Sequence, residues 1–450
     1  MGLDRRARTA IGREVDMNTT AFPSGTTARP TAAVIGSGVA GLTAAYVLQR
    51  KFDVTLFESD ERFGGHAHTQ DVMTAAGDLL PVDTGFIVHN QRTYPKLLRL
   101  FAELGVETQE SEMSMSVRCD GCGLEYAGAR QLPGLFAQPA NLANPRFVRM
   151  LMEVKRFHRA ARALLSQAPD EGEAHDLTLG EFLNRGGYSQ YFTDHFMLPL
   201  VSAVWSTGPT VSALQPARNL FAFFDNHGML SVSGSPSWKT VVGGSRSYVD
   251  RVTKQLPELR SSTPVRALIR NSETVEIRGA DDSTWQFDRA VVATHSDQAL
   301  ALLAQPTALE SKLLVAIAYS DSDAWLHQDT GVLPQADRAR ASWNYLKRSC
   351  AETDERVLVS YDMNRLMQLP DSTRVVVTLN GSDEIDDSKV LRRMRYQHPV
   401  FTPEAVTARD QLPELNVGPV SFAGAYHGWG FHEDGCASGV RAAAALGATW

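Results

Sequence analysis

The chain has 450 residues, 43% of them hydrophobic, a formal net charge of −7 and a sequence pI near 6.0. This is enough apolar content for a large core and enough length for two or three structural domains. No lysine- or arginine-rich stripe interleaved with aromatics occurs, which excludes a nucleic-acid footprint and points to a small-molecule or lipid partner.

No apolar run reaches the roughly 18 residues of a membrane span; the run Phe196 to Trp205 is short and interrupted by Pro199, so only peripheral membrane contact stays open. Residues 1–29 carry paired arginines without a following hydrophobic region, which argues against a secretory or twin-arginine signal. They read as a disordered leader, in which Met17 is an alternative start. Four cysteines in such a length do not make a disulfide framework, and a reducing, cytoplasmic setting is expected.

Ala32 to Ile35 is an apolar strand that ends at Gly36, Gly38 and Gly41, spaced as GxGxxG with Ser37 and Ala40 between them. The first glycine permits the tight turn, the second lets backbone approach a pyrophosphate, and the third allows close helix–strand packing. Val39 to about Gln49 repeats apolar residues at helical spacing, and its N-terminus offers free N–H groups to phosphate. Val54 to Phe57 is the second strand. It ends at Glu58, placed to accept hydrogen bonds from both ribose hydroxyls and to disfavour a 2′-phosphate. A dinucleotide other than NADP is therefore expected.

Leu97, Leu98, Phe101 and Leu104 predict a helix that stops at Gly105. Cys119 and Cys122 form a CxxC without a second CxxC or a histidine pair at zinc spacing. Zinc, a redox pair and a simple hairpin turn are all readings of it; no metal site is assigned. Val148 to Leu165 reads as helix, and short strands are expected at Leu313 to Ala318, Val357 to Tyr361 and Val375 to Leu379.

Which dinucleotide is bound follows from further segments. Arg62, Gly64 and Gly65 in SDERFGGHAHT resemble the RxGG element of the flavin amine oxidase superfamily. VDTGFIVHN (Val82 to Asn90), WKTVVGGSRSYVDRV (Trp238 to Val252), AVVATHSDQAL (Ala290 to Leu300) and FAGAYHGWGFHEDGCASGVRAAAAL (Phe422 to Leu446) match the same group. More narrowly, GGHAHT, the WSTG at Trp205, the SWNY at Ser342 and GFHEDG resemble a subgroup similar to the N-terminal half of plant cyclopropane fatty acid synthases.

The resemblance implies an α/β fold: a Rossmann-type FAD-binding domain from residues 30–100, 236–300 and 415–450, and a discontinuous α+β substrate domain from 101–235 and 301–414. It implies non-covalent FAD, because Cys436 is not at the position of the superfamily's flavin-linking cysteine. The cofactor contacts it implies are Gly36, Ser37, Gly38, Ala40, Gly41, Glu58, Arg62, Gly64, Gly65 and His66, with Val265 at adenine and Gly424 and Gly435 near the flavin.

Flavin carries the hard chemistry, so the protein must present a substrate C–H, exclude water and move one proton. His66, His432 and Glu433 are the candidates for that proton; His68, His89 and His427 lie near the same motifs. The plainer reading is that a histidine in a glycine-rich loop bonds a neighbouring carbonyl. Tyr426 and Trp429 are candidates for an aromatic wall.

Two departures from the amine oxidases weigh on the substrate. No lysine occurs in LVAIAYSDSDAWLH, where theirs holds a water, and Ala425 stands where their motif commonly has glutamate. The expected reaction is hydride transfer with an apolar, fatty-acyl or lipid-like substrate. Amine or amino-acid oxidation is the same-class alternative, and a flavin-bound partner of a lipid methyltransferase is the alternative without turnover.

Overall fold

The computed structural model describes residues 29–128, 131–167, 177–231, 234–350 and 356–450. The leader expected over 1–29 falls, but for Arg29, outside them. A five-stranded parallel sheet runs in the order Glu258–Arg260, Asp53–Phe57, Thr31–Ile35, Arg289–Val292, Val420–Phe422. Strands from three distant segments thus lie side by side.

The helix Val39–Leu48 is buried at all ten positions, which its small and apolar residues permit. The helix His432–Ala445 packs directly on it. That approach depends on two glycines: a β-carbon at Gly439 would sit 2.3 Å from the Ala40 carbonyl oxygen, and one at Gly435 would sit 2.6 Å from a Val39 methyl. The C-terminal helix therefore faces the early glycine turn.

The second unit is built on a seven-stranded sheet in the order Val390–Pro399, Tyr319–His327, Val376–Leu379, Val359–Asp362, Trp343–Lys347, Met115–Cys119, Leu124–Ala127. All its pairings are antiparallel except that of Trp343–Lys347 with Met115–Cys119. Helices of the 131–226 region share one core with it, in which Phe157 packs against both Phe192 and Phe221 while Val117, Tyr345 and Val359 come from the sheet.

The long helix spans Pro145–Ser166; the Asn144 side chain caps it by accepting from the Arg146 and Phe147 N–H groups. The helix Pro95–Leu104 stops at Gly105, whose φ of 66° is left-handed. The strand expected at Leu313–Ala318 is instead the end of a helix, Ala308–Val315, and the strand starts only at Tyr319. A capping box between Thr307 and Glu310 nucleates that helix and buries Leu313 and Leu314 on one side of it. Short apolar runs do not separate the two states.

Candidate active site

A cavity of about 1620 Å³ lies between the two units. That exceeds the roughly 300–1,000 Å³ of an ordinary small-molecule site, which leaves room for a dinucleotide and a second molecule. Of the expected contacts, Gly36, Ser37, Gly38, Ala40, Glu58, Arg62, Gly65, His66, Val265 and Gly424 line it.

The residues at its dinucleotide end fit FAD. A β-carbon at Gly38 would meet nothing within 4 Å, whereas one at Gly65 would come within 3.0 Å of the Gly38 α-carbon, so two backbones bound an open phosphate-sized cradle. Gly41 serves the fold instead, because a β-carbon there would lie 1.8 Å from the Gly36 carbonyl oxygen. Gly64 packs on Val249 and the Ala67 carbonyl, and Gly435 on Val39; these three are packing glycines and do not line the cavity.

Glu58 holds its place through bonds from the Ser37 N–H (2.9 Å) and hydroxyl (2.5 Å) to one carboxylate oxygen. The Asp60 N–H (3.0 Å) binds the other. The Arg62 guanidinium donates to the Gly65 carbonyl at 2.8 Å and ties down the second glycine loop. Asp83, in the VDTGFIVHN segment, is fully buried and accepts from the Thr69 hydroxyl and from the Ser245 N–H and hydroxyl. Burial outweighs these bonds and pushes its carboxyl up to about 6. It welds the segment after the phosphate turn to the helix Arg246–Thr253.

At the other end of the cradle His66 meets residues that sequence reasoning missed. Its ring lies 5.0 Å from that of Tyr396 and 5.4 Å from that of His398, both from the edge strand of the large sheet. Burial, and then the neighbouring His398 and His295, push the His66 imidazole well below its ordinary range, so it is neutral at pH 7. His66 Nε2, His295 Nδ1, His398 Nδ1 and the Tyr426 hydroxyl are buried polar atoms with no protein partner, and all four residues belong to the cavity lining. Buried polar groups are normally paired, and four unpaired ones on the lining residues of one cavity fit a bound ligand.

His432 also lines the cavity, stacked on Phe86 at 3.7 Å with Nε2 3.1 Å from the Tyr248 hydroxyl. Burial lowers it to about 3. Glu433 points elsewhere: its carboxylate accepts from the Lys96 and Leu97 N–H groups and so caps the helix Pro95–Leu104. Asp434 accepts from the Phe431 N–H at 2.9 Å and fixes the loop before the last helix. His68 is held by the Tyr396 hydroxyl at 2.9 Å, while His89 and His427 have unpartnered ring nitrogens. Tyr426 and Trp429 both line the cavity. Tyr396 and His398 stand in no motif of the sequence, and His295, though inside AVVATHSDQAL, is not singled out there; only the fold gathers the three.

Comparison with known proteins agrees with this geometry. The chain is 25% identical over 272 residues to (S)-6-hydroxynicotine oxidase of Paenarthrobacter nicotinovorans, an alignment covering 58% of this chain and 59% of that oxidase. Its fold is similar to that of cyclohexylamine oxidase from Brevibacterium oxydans, with TM-score 0.68 at 15% identity over 93% of this chain and 98% of the other. It is also similar to a fatty acid isomerase from P. acnes, with TM-score 0.65 at 15% identity over 91% and 97%. The family described as flavin containing amine oxidoreductase matches residues 39–447. With that match over most of its length and a dinucleotide cradle to go with it, the chain belongs to the flavin-containing amine oxidoreductase family, and its cofactor is FAD.

Proposed function

We propose that the protein is an oxidoreductase that transfers a hydride between an apolar, fatty-acyl or lipid-like substrate and its flavin. The observation that carries this is the character of the cavity beyond the cradle. There the walls are Leu135, Phe136, Leu151, Val154, Phe196 and Leu200. Among the described residues, the acidic ones lining the cavity, Glu58 and Asp60, both belong to the dinucleotide end, so no carboxylate of theirs awaits an ammonium group at the apolar end. A buried cation without a counter-charge would be costly there. Lys155 lies on this lining and suits a carboxylate head group.

FAD, when bound, accepts or gives up the hydride. The protein's own share is to enclose an acyl chain between the long helix and the sheet, and to exclude water with apolar walls. It also holds a neutral imidazole, His66, ready to take or return the proton. Around the cavity lining, Leu132, Leu142, Val148 and Met152 are exposed apolar side chains beside the exposed Arg146 and Arg149. This combination supports peripheral contact with anionic lipid. No helix among the described residues is long and apolar enough to cross a membrane.

Anaerobic mixing of the FAD-loaded protein with fatty acids and acyl lipids tests the reading: bleaching of the flavin band supports it. Bleaching by an amine panel alone, with peroxide release in air, would replace it with amine oxidation, the reading favoured by the amine-oxidising relatives. Stable co-purification with a lipid methyltransferase without any bleaching would replace it with the partner role.

A further inference from the structure

Cys119 and Cys122 acquire two companions from far along the chain. Cys119 ends the strand Met115–Cys119, and Cys122 lies in the turn leading to Leu124–Ala127. The parallel neighbour of the first strand, Trp343–Lys347, brings up Cys350, whose sulfur is 3.8 Å from that of Cys119 across 231 residues of sequence. His195 comes from a π-helical turn, Thr193–Met197, and its Nε2 lies 3.6 Å from the Cys122 sulfur. All four ligand atoms fall within 4.8 Å of one another.

We propose that Cys119, Cys122, Cys350 and His195 form a structural zinc site. Tetrahedral zinc binds thiolate sulfur at about 2.3 Å and histidine nitrogen at about 2.0–2.1 Å, which makes the edges of its coordination tetrahedron roughly 3.4–3.8 Å. The 3.8 Å and 3.6 Å separations match such edges, whereas bonded sulfurs would stand about 2.05 Å apart.

The surroundings meet the other demands of a zinc site. His195 Nδ1 lies 3.2 Å from the Tyr191 carbonyl oxygen, the outer partner that fixes the tautomer of a metal-bound histidine. Gly121 has no room for a side chain, since a β-carbon would fall 2.8 Å from the Cys350 nitrogen, and Gly123 takes a left-handed φ of 71°. Three thiolates on a dication leave a net charge of about −1, and the buried Lys347 lies within electrostatic range of Cys350 and His195.

Binding displaces three thiol protons to solvent and leaves the metal four-coordinate, with no open position for catalysis. Its effect is mechanical. The Tyr126 hydroxyl donates to the His195 carbonyl at 2.7 Å, and Tyr126 and Phe196 line the cavity, so the metal would pin one wall of the substrate chamber to the sheet.

The test is metal content of the FAD holoprotein, purified under reducing conditions and dialysed against metal-free buffer. One zinc per chain is expected. Cys122→Ser combined with Cys350→Ser should lower it to below one-tenth, and Cys436→Ser, outside the cluster, should retain it. Should the double variant fail to fold, cobalt(II) added to the zinc-stripped wild type gives an independent reading. Thiolate-to-cobalt charge transfer with intense tetrahedral d–d bands supports the site. Substoichiometric zinc together with an absent cobalt spectrum overturns it. So does full zinc retention by the folded double variant, or a Cys119–Cys350 disulfide found by peptide mapping of the reduced preparation.

Discussion

The hydroxyl and the backbone N–H of Ser37 both donate to the same oxygen of the Glu58 carboxylate, at 2.5 and 2.9 Å, so the glycine turn and the acid proposed to hold ribose form one unit. Glu58 is thus oriented before any ribose arrives. Hydrogen bonds to a charged group contribute about 1.5–3 kcal/mol each. Glu58→Ala should therefore weaken FAD binding by roughly 10- to 100-fold, as read by titrating the apoprotein with FAD. Undiminished affinity would remove the ribose role.

Gly38 and Gly41 should separate cofactor binding from folding. Gly38 has φ −61°, open to any residue, and free space around its missing β-carbon. Gly38→Val should melt close to the wild-type apoprotein yet retain no FAD, because the side chain fills the phosphate cradle. Gly41→Ala drives a β-carbon to 1.8 Å from the Gly36 carbonyl and should cost more than about 4 kcal/mol, leaving little soluble protein. Thermal melts and the flavin absorbance of both variants check this.

His66 and His432 are expected to differ in kind. His66 belongs to the cavity lining and its Nε2 has no protein partner, so His66→Ala should retain flavin and lose turnover by about 10²–10⁴-fold. His432 already has a partner in Tyr248 and a stacking face in Phe86. His432→Gln should therefore lose less than about tenfold. Anaerobic flavin reduction rates in a stopped-flow instrument distinguish the two, and equal losses would contradict the assignment.

Lys155 should govern recognition of the head group. Reversing its charge with Lys155→Glu should raise KM for fatty carboxylates by at least about tenfold, equivalent to ~1.4 kcal/mol, and leave that for uncharged acyl esters unchanged. Steady-state rates on the two substrate types are the measurement; a uniform change would deny the pairing.

Glu433 makes the stability of the last helix pH-dependent. Burial, stronger than its two backbone bonds, raises its carboxyl to about 7. The folded state therefore binds the proton more tightly than the unfolded one, and the stability this provides is complete below about 4.5 and lost as pH rises through 7. The melting temperature of wild type relative to Glu433→Gln should fall between those values and stay level above them. A difference that grows with pH would mean that the capping bonds outweigh burial.

Local physics made the first half of the cofactor site legible. The strand–turn–helix at Thr31–Leu48 follows from hydrophobic period and from glycine geometry, both of which act within a few residues. Glu58 and the helix at Pro145–Ser166 are readable for the same reason. The run Leu313–Ala318 was ambiguous because an apolar hexamer suits a strand or a buried helix end, and the Thr307–Glu310 capping box settles it from outside the run.

What the sequence by itself determined, then, was the dinucleotide turn and the family features strung along the chain, because each rests on neighbours in sequence. Only the tertiary structure decided that Glu433 caps a helix, that His295 and His398 join His66, and that Cys350 and His195 complete the Cys119–Cys122 pair. Those relations span tens to hundreds of residues. They exist because two sheets and a closing helix bring remote side chains within a few ångströms, a proximity that no local period encodes.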